Sequence, residues 1–258
     1  MAVGSISRSV VLLHGLRTSA TMWRAQAEAL RELGHEAIVP DLPGHGARMG
    51  ERFTLDECVA TIGDAVASAR HPVYLVGFSL GGYLSLHWAG LEARPAALSR
   101  VTGILAASCG TTPYRVVLDA WRAAARVIHT FPDRGRGLND FAVRAAVRDP
   151  QLADDVLRGG VALEVMDDAL RELRALRPVA SLKRIDLPVT LANGTLDHFR
   201  LEERRYLKAA RHGELIHVRG ATHMVSLTRS AEFTRILLEK MDAAAQRHAA
   251  GHATRELP

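Results

Sequence analysis

Short apolar runs alternate along the chain with longer stretches in which apolar residues recur every three or four positions. The short runs have the length of buried strands and lie at residues 9–13, 36–39, 73–77, 101–107, 187–192 and 214–219. The longer stretches predict amphipathic helices near residues 21–33, 54–70, 80–93, 199–211 and 227–246. Alternation of this kind predicts parallel strands joined by right-handed crossovers, with helices on both faces of one sheet.

One long segment interrupts the alternation, because residues 110–182 contain no strand pattern. Helical fragments occupy it instead, at residues 115–130, 138–148, 150–158 and 161–176. Ordinary connections between a strand and a helix are much shorter than this. We therefore predict a helical insertion at residues 110–182 in a core formed by residues 1–109 and 183–258.

The junction between the third strand and the third helix carries a candidate nucleophile. Residues 77–81 read Gly-Phe-Ser-Leu-Gly, with the serine at the turn. A serine on so sharp a turn is held clear of the sheet, with its backbone N–H beside a helix N-terminus. A Cβ at Gly77 or Gly81 would collide with neighbouring backbone, which explains the flanking glycines. Ser79 is the predicted nucleophile, and the alternative is a serine in an ordinary turn.

Three further loops follow the carboxyl ends of predicted strands and carry polar residues. The first strand leads into residues 14–19, which begin with His14-Gly15 and are called the oxyanion loop below. Asp197 follows the strand at 187–192, and His223 follows the last strand. A nucleophile, an acid and a histidine therefore occur in that order along the chain.

These four motifs resemble the α/β-hydrolase family, whose catalytic serine, acid and histidine have this order. The resemblance runs from about residue 10 to about residue 245 and is strongest to small bacterial carboxylesterases and methyl-ester esterases. It implies an α/β-hydrolase fold of about six mostly parallel strands, in which residues 110–182 form a helical cap, or lid. Only eight residues precede the first clear strand, so the family's N-terminal antiparallel hairpin is expected to be missing.

The residue types at the predicted triad suit acyl transfer. A serine hydroxyl is a poor nucleophile alone, so a base must take its proton during attack. His223 can accept that proton and return it to the leaving group, while Asp197 fixes the imidazole tautomer. The resemblance supplies the backbone N–H groups of Leu16 and Leu80 as donors to the oxyanion.

Other titratable residues are weaker candidates for these roles. Asp186 precedes its strand and lies at the wrong end of the sheet, and the strand after the nucleophile ends without an acid. We interpret His14 as shaping the oxyanion loop, and Asp41 as part of the turn after the second strand. His198 is expected in the pocket or at the surface, and His217 packed in a strand or exposed.

Substrate preference must come from the apolar residues around the triad, since the triad itself is generic. The predicted pocket residues are Trp23, Phe78, Trp121, Phe131, Phe141, Met166, Phe199 and Met224. The alternative for those in the insertion is that they pack only against one another.

Composition narrows the class of protein. The chain has 258 residues, 48% of them hydrophobic and 24% charged, as in a globular enzyme. No apolar run is long enough to span a membrane, and the first 13 residues do not form a signal peptide, so a cytoplasmic location is expected. The net charge of +5 is spread over helices that also carry acids, which argues against nucleic-acid binding. Cys58 and Cys109 are predicted to be free buried thiols, and no metal or cofactor motif is present.

The sequence therefore predicts a serine hydrolase that cleaves a carboxylic ester or thioester through an acyl-enzyme. Its partner is a small-molecule ester or acyl substrate, free or bound to a carrier, with no cofactor. The alternatives are a carbon–carbon bond hydrolase or lactonase on the same fold, or a non-catalytic ligand-binding protein on a hydrolase scaffold. The acyl group, the alcohol and the oligomeric state stay open.

Overall fold

A single parallel sheet organises the molecule. The structure, a computed structural model, describes residues 7–253, with side chains for residues 7–250. The strands are β1 Ser9–Leu13, β2 Glu36–Ile38, β3 Val73–Phe78, β4 Val101–Ala107, β5 Pro188–Gly194 and β6 His212–Val218. They are ordered β2-β1-β3-β4-β5-β6, and every neighbouring pair is parallel. The predicted six-stranded sheet is confirmed.

The helices cover both faces of the sheet, as predicted. They are α1 Arg24–Glu32, α2 Leu55–Ser68, α3 Leu80–Ala89, α4 Arg115–Ile128, α5 Arg136–Ala146, α6 Pro150–Arg158, α7 Met166–Glu172, α8 Pro178–Arg184, α9 Glu203–Ala209, α10 Val225–Thr228 and α11 Ser230–Ala253. Alternate residues of the central strands face opposite layers, since side chains alternate along a strand. Val11 and Leu75 pack towards α2 and α3, whereas Val10 and Val76 pack towards α1 and α11.

Element ends differ from the sequence prediction by a few residues. The last helix extends to Ala253 rather than ending near residue 246, and the predicted helix at 161–176 begins only at Met166. The hairpin predicted to be missing concerns residues before β1, and residues 1–6 lie outside the described part of the chain.

The β4–β5 connection, residues 108–187, carries helices α4 to α8 and no strand. The predicted boundary at residue 182 falls inside α8, which packs against α3 and α9 of the main fold. Contact is close, because a Cβ on Gly90 would lie 2.6 Å from the Cα of Ser181. The division of the chain into core and cap stays a prediction.

Two sequence predictions about individual features can be checked directly. Cys58 and Cys109 are both free and buried, as predicted, and burial raises the pKa of the Cys58 thiol to about 12. Within residues 7–253 no helix is both long and apolar enough to cross a membrane.

Candidate active site

Ser79 lies at the β3–α3 junction in an uncommon backbone conformation, with φ +50° and ψ −111°. Such a conformation is costly for a residue with a Cβ and persists only where neighbours fix it. Ser79 N donates to the carbonyl of Ala107 at 2.8 Å, and Tyr83 N donates to the carbonyl of Ser79 at 3.0 Å. The flanking glycines are required, since a Cβ at Gly77 would lie 2.3 Å from Gly81 O and one at Gly81 would lie 2.3 Å from a β1 carbonyl.

The structure brings Ser79, His223 and Asp197 into one hydrogen-bonded line. His223 Nε2 lies 3.1 Å from Ser79 Oγ, and His223 Nδ1 lies 3.1 Å from Asp197 Oδ1. The Asp197 side chain is fully buried, whereas that of His223 is 23% exposed. A carboxylate can only accept, so Nδ1 carries the proton towards Asp197 and the Nε2 lone pair faces the serine hydroxyl.

Asp197 is held as a carboxylate by its neighbours. Burial on its own raises the pKa of Asp197, but the hydrogen bond and charge of His223 lower it. The backbone N–H of Phe199, 2.8 Å from Oδ1, adds to this lowering. The net pKa is below the ordinary value for an aspartic acid, so the group remains ionised at neutral pH.

The peptide group between Gly15 and Leu16 is held by hydrogen bonds to its carbonyl oxygen, which leaves its N–H as a donor in the oxyanion loop. The Gly15 carbonyl accepts from His14 Nδ1 and Thr18 Oγ1, both at 2.8 Å, and from Thr18 N at 3.4 Å. In a trans peptide the N–H points opposite to the C=O, so Leu16 N–H faces away from these donors. Among the described residues neither this N–H nor that of Leu80 has a hydrogen-bond partner.

His14 is the residue that sets this geometry. Its Nε2 accepts from Leu42 N at 3.0 Å, so the ring holds one proton, on Nδ1, and is neutral. Burial lowers the pKa of His14 to about 4, which keeps this neutral form at physiological pH. The interpretation of His14 as a residue that shapes the loop agrees with these contacts.

A cavity of about 760 Å³ opens beside Ser79 and His223. Leu16 and Leu80 line it, so both available N–H groups belong to residues of its wall. Much of the remaining wall is apolar and comes from the β4–β5 connection, with six residues from α4 and two from α7. The arrangement can hold an apolar molecule against a serine hydroxyl, an imidazole and two N–H donors.

Of the predicted pocket residues, three line this cavity: Trp121, Met166 and Phe199. Trp121 and Phe199 pack edge to face, with ring centroids 5.3 Å apart. Phe199 also lies 4.7 Å from the imidazole of His223. Together these two aromatic rings connect α4 to the loop that carries Asp197.

The other five predicted pocket residues do not line this cavity. Trp23 is buried on the α1 and α11 face of the sheet, against the ring of Phe233. Phe78 is buried in the same layer with its ring 5.2 Å from the imidazole of His223, and Met224 is half-buried against that layer. Phe131 and Phe141 are 48% and 72% exposed, because the helical fragments turn these rings outward.

Sequence reasoning missed most of the cavity wall. The α4 residues that line it are Val117, Leu118, Trp121, Ala124, Ala125 and Ile128. Their spacing of three or four residues marks one face of a helix, so periodicity could have found them. Arg17 and His198 also line the cavity. No sequence pattern indicated that Arg17 would lie there.

The rejected candidates lie where the sequence indicated. Asp186 contacts His212 Nε2 at 3.2 Å, at the amino end of β5 and far from Asp197 at the other end. His217 Nε2 lies 2.8 Å from a carboxylate oxygen of Glu203, in a cluster that braces β5 and β6. Asp41 accepts from the backbone N–H groups of residues 20 and 47, and so fixes a turn.

The fold and the arrangement of residues define a class of protein. The model of the alpha/beta hydrolase family matches residues 10–236, and the chain belongs to that family.

Individual relatives are more distant. A pimeloyl-[acyl-carrier protein] methyl ester esterase of Xylella fastidiosa is 31% identical over 46% of this chain and 42% of that protein. An esterase of Thermogutta terrifontis has a TM-score of 0.73 at 19% identity, over 92% of this chain and 90% of that chain. The enol-lactonase of Burkholderia xenovorans LB400 has a TM-score of 0.69 at 18% identity, over 92% of both chains. The chain spans less than half the length of the first curated relatives that it matches.

Proposed function

We propose that this protein is a serine hydrolase that cleaves a carboxylic ester or thioester through an acyl-enzyme. The observation that carries the proposal is the hydrogen-bonded line from Ser79 Oγ through His223 to the buried Asp197. It ends at a cavity whose wall includes the two residues with unpartnered N–H groups, Leu16 and Leu80. Nucleophile, base, orienting acid and oxyanion donors are the groups that acyl transfer needs.

The reaction proceeds in two halves. Ser79 Oγ attacks the substrate carbonyl carbon while His223 Nε2 takes the hydroxyl proton, and the carbonyl oxygen becomes an oxyanion held by Leu16 and Leu80. His223 then gives the proton to the leaving alcohol or thiol, which leaves Ser79 acylated. A water molecule, deprotonated by the same imidazole, attacks the acyl carbon; the imidazolium then returns the proton to Ser79 Oγ as the acid is released. Asp197 keeps the imidazole in its tautomer and offsets its positive charge in both halves.

The relatives favour ester substrates over other acyl compounds. One curated relative bears the name of a methyl ester esterase for an acyl-carrier-protein substrate, and one structural neighbour is an esterase. We extend the ester class to this chain and include carrier-bound acyl groups among its substrates.

We further propose that residues 110–182 act as the cap of this enzyme. Residues of α4 and α7 line the same cavity as Ser79, so substrate selection falls to side chains such as Trp121 and Met166. The triad, by contrast, stands on loops that follow β3, β5 and β6. In this proposal the loops at the end of the sheet hold the catalytic residues, and the β4–β5 connection determines which substrates are preferred.

A lactone is the second candidate substrate, because an enol-lactonase is among the structural neighbours. The same attack would open a cyclic ester, with the leaving alcohol still attached to the acyl group. Turnover of a five- or six-membered lactone at a rate above that of every linear ester would favour this candidate.

The proposal is tested with a fluorophosphonate probe, which reacts with activated serines, followed by peptide mapping. We expect one labelled residue, Ser79, and expect Ser79→Ala to abolish both labelling and turnover of p-nitrophenyl butyrate. The exposed Ser99 provides a matched control, since Ser99→Ala should leave labelling and turnover unchanged. Labelling at another serine, or wild-type turnover by Ser79→Ala, would overturn the assignment.

A further inference from the structure

Arg17 is an arginine of the cavity wall that lacks a carboxylate partner. It follows Leu16 in the oxyanion loop and lines the cavity beside Ser79. Its Nη2 donates to Asn139 Oδ1 at 2.7 Å, and its Nε is buried without a hydrogen-bond partner in the described part of the chain. Asn139 is neutral, so this contact satisfies one donor but leaves the charge of the guanidinium uncompensated.

The other formal charge in the cavity wall is already balanced. Glu202 accepts from Thr112 N at 2.6 Å, from Tyr114 Oη at 2.9 Å and from Arg205 at 2.7 Å. Burial on its own raises the pKa of Glu202. The hydrogen bonds around the carboxylate outweigh burial and lower the pKa to about 2. Arg17 is the sole lysine or arginine among the described residues that line the cavity. The three histidines of the wall are His129, His198 and His223.

Leaving a cation in this position has a cost. Burial of a charged group is unfavourable unless a counter-charge or full hydrogen bonding compensates it. Burial lowers the pKa of Arg17, yet a guanidinium stays protonated at physiological pH. A ligand that brings a negative charge to the cavity would recover that cost and satisfy the remaining donors.

We propose that Arg17 binds a carboxylate of the substrate, so that this hydrolase prefers esters that carry a negative charge near the scissile carbonyl. The inference rests on the proposed esterase function. Arg17 adjoins the residue whose N–H would hold the carbonyl oxygen, and both residues line the same cavity, so one bound substrate could present its carbonyl and its carboxylate together. The planar fork of a guanidinium matches a carboxylate in geometry and charge.

A purely structural role would give a different result. The contact with Asn139 ties the oxyanion loop to α5, and loss of that tie would impair every substrate to the same extent. The informative quantity is therefore the ratio of kcat/KM for an anionic ester to kcat/KM for a neutral ester of matched length.

Two pairs of substrates measure this ratio and locate the charge. Monomethyl adipate against methyl hexanoate tests a carboxylate on the acyl chain. Hexanoyloxyacetate against hexanoyloxyacetamide tests a carboxylate on the alcohol. In at least one pair we expect the wild-type enzyme to prefer the anion, and Arg17→Gln to lower the ratio roughly ten- to a hundredfold, as for loss of a charged hydrogen bond.

Two further variants complete the experiment. Arg17→Lys should retain part of the preference, because it keeps the charge but loses the fork. Arg148→Gln, which removes an exposed arginine outside the cavity wall, should leave the ratio unchanged. A ratio unmoved by Arg17→Gln in both pairs, or an equal loss on anionic and neutral esters, would overturn the inference.

Failure of the esterase proposal is recognised separately, as absence of turnover for neutral and anionic esters alike. For that case, calorimetry measures binding of monomethyl adipate and of hexanoyloxyacetate to the Ser79→Ala protein, which needs no turnover. We expect Arg17→Gln in that background to weaken binding of at least one of the two anions at least tenfold. Equal binding of both anions by the two proteins would overturn the role of Arg17, whatever reaction the enzyme performs.

Discussion

The parallel sheet and the β4–β5 connection use apolar residues in different ways. Every residue of β1, β3 and β4 is buried. In contrast, among residues 7–250 eight of the twelve exposed large apolar side chains fall between residues 114 and 141. The sheet is thus packed from both sides, while the first helices of the connection leave much apolar surface in contact with solvent.

Polar contacts show the same difference. The helices of the connection are held together in part by ion pairs, such as those of Asp167 in α7 with Arg122 and Arg126 in α4. Exposed ion pairs contribute little to stability. The proposed chemistry therefore depends on the part of the molecule held by close packing, and the proposed selectivity on the part held more weakly. Catalytic groups need positions fixed to a fraction of an ångström, whereas an apolar wall tolerates adjustment.

The largest expected effect is on turnover, from a change in the loop that follows strand β5 of the sheet. Asp197→Asn should lower kcat by about 10³- to 10⁴-fold with little change in KM, because the amide disturbs the tautomer of His223 and not the pocket. Asp186→Asn, at the other end of β5, should have no such effect. Steady-state kinetics with p-nitrophenyl butyrate measures both. A nearly silent Asp197→Asn would place the orienting acid elsewhere.

Replacing one glycine by alanine in the sheet and one in the β4–β5 connection should lower the free energy of unfolding by different amounts. Gly77→Ala places a Cβ 2.3 Å from the backbone oxygen of Gly81, and should lower the free energy of unfolding by about 3 kcal/mol or more. Gly137→Ala, in α5, meets only the side chain of Asp133, at 2.9 Å. That change should stay within about 1 kcal/mol, since alanine favours a helix by a similar amount. Urea denaturation compares the variants; equal stabilities would contradict the proposed difference in packing.

Acid should destabilise the protein through two buried histidines, His14 of the oxyanion loop and His45, whose rings lie 4.9 Å apart. Burial lowers the pKa of His14 to about 4 and that of His45 to about 3. Between pH about 6.5 and about 4 the unfolded chain therefore binds more protons at these residues than the folded chain, and the free energy of unfolding falls as pH falls. For His14 alone the loss is roughly 3 kcal/mol at the lower end of this range.

Urea denaturation at several pH values across this range measures the loss. The exposed His212 offers a control, because His212→Gln should leave the slope of stability against pH largely unchanged. A free energy of unfolding that stays flat between pH about 7 and about 5 would show that these rings are protonated without cost.

The smallest expected effect is on substrate preference, from a change in the β4–β5 connection. Trp121→Ala enlarges the cavity and should raise kcat/KM for p-nitrophenyl octanoate relative to the butyrate about tenfold, within the range for added methylenes in a pocket. Phe141→Ala removes an exposed ring from the same connection and should change the ratio less than about twofold. If the chain-length profiles of both variants match the wild type, specificity lies in the core loops.

The sequence by itself determined the sheet and the positions of the candidate triad. Strand-length apolar runs and turn residues are local features, which reflect requirements of the backbone within a few residues, and the order of Ser79, Asp197 and His223 can be read directly along the chain. The glycine at 77 is an example, because the atoms that exclude a Cβ there belong to Gly81 and Gly82 of the same turn, whereas those that exclude one at Gly81 belong to Leu13 and His14.

Only the tertiary structure decided which apolar residues form the cavity and which charge lies alone in it. Trp23 and Trp121 are both aromatic residues in helical patterns, yet one packs beneath the sheet and the other faces Ser79. Arg17 looks like any other arginine of the chain until the folded protein shows that no carboxylate lies beside it. The physical reason is that hydrophobicity and charge belong to a residue, whereas burial and pairing depend on neighbours distant in sequence, and only packing brings those neighbours together.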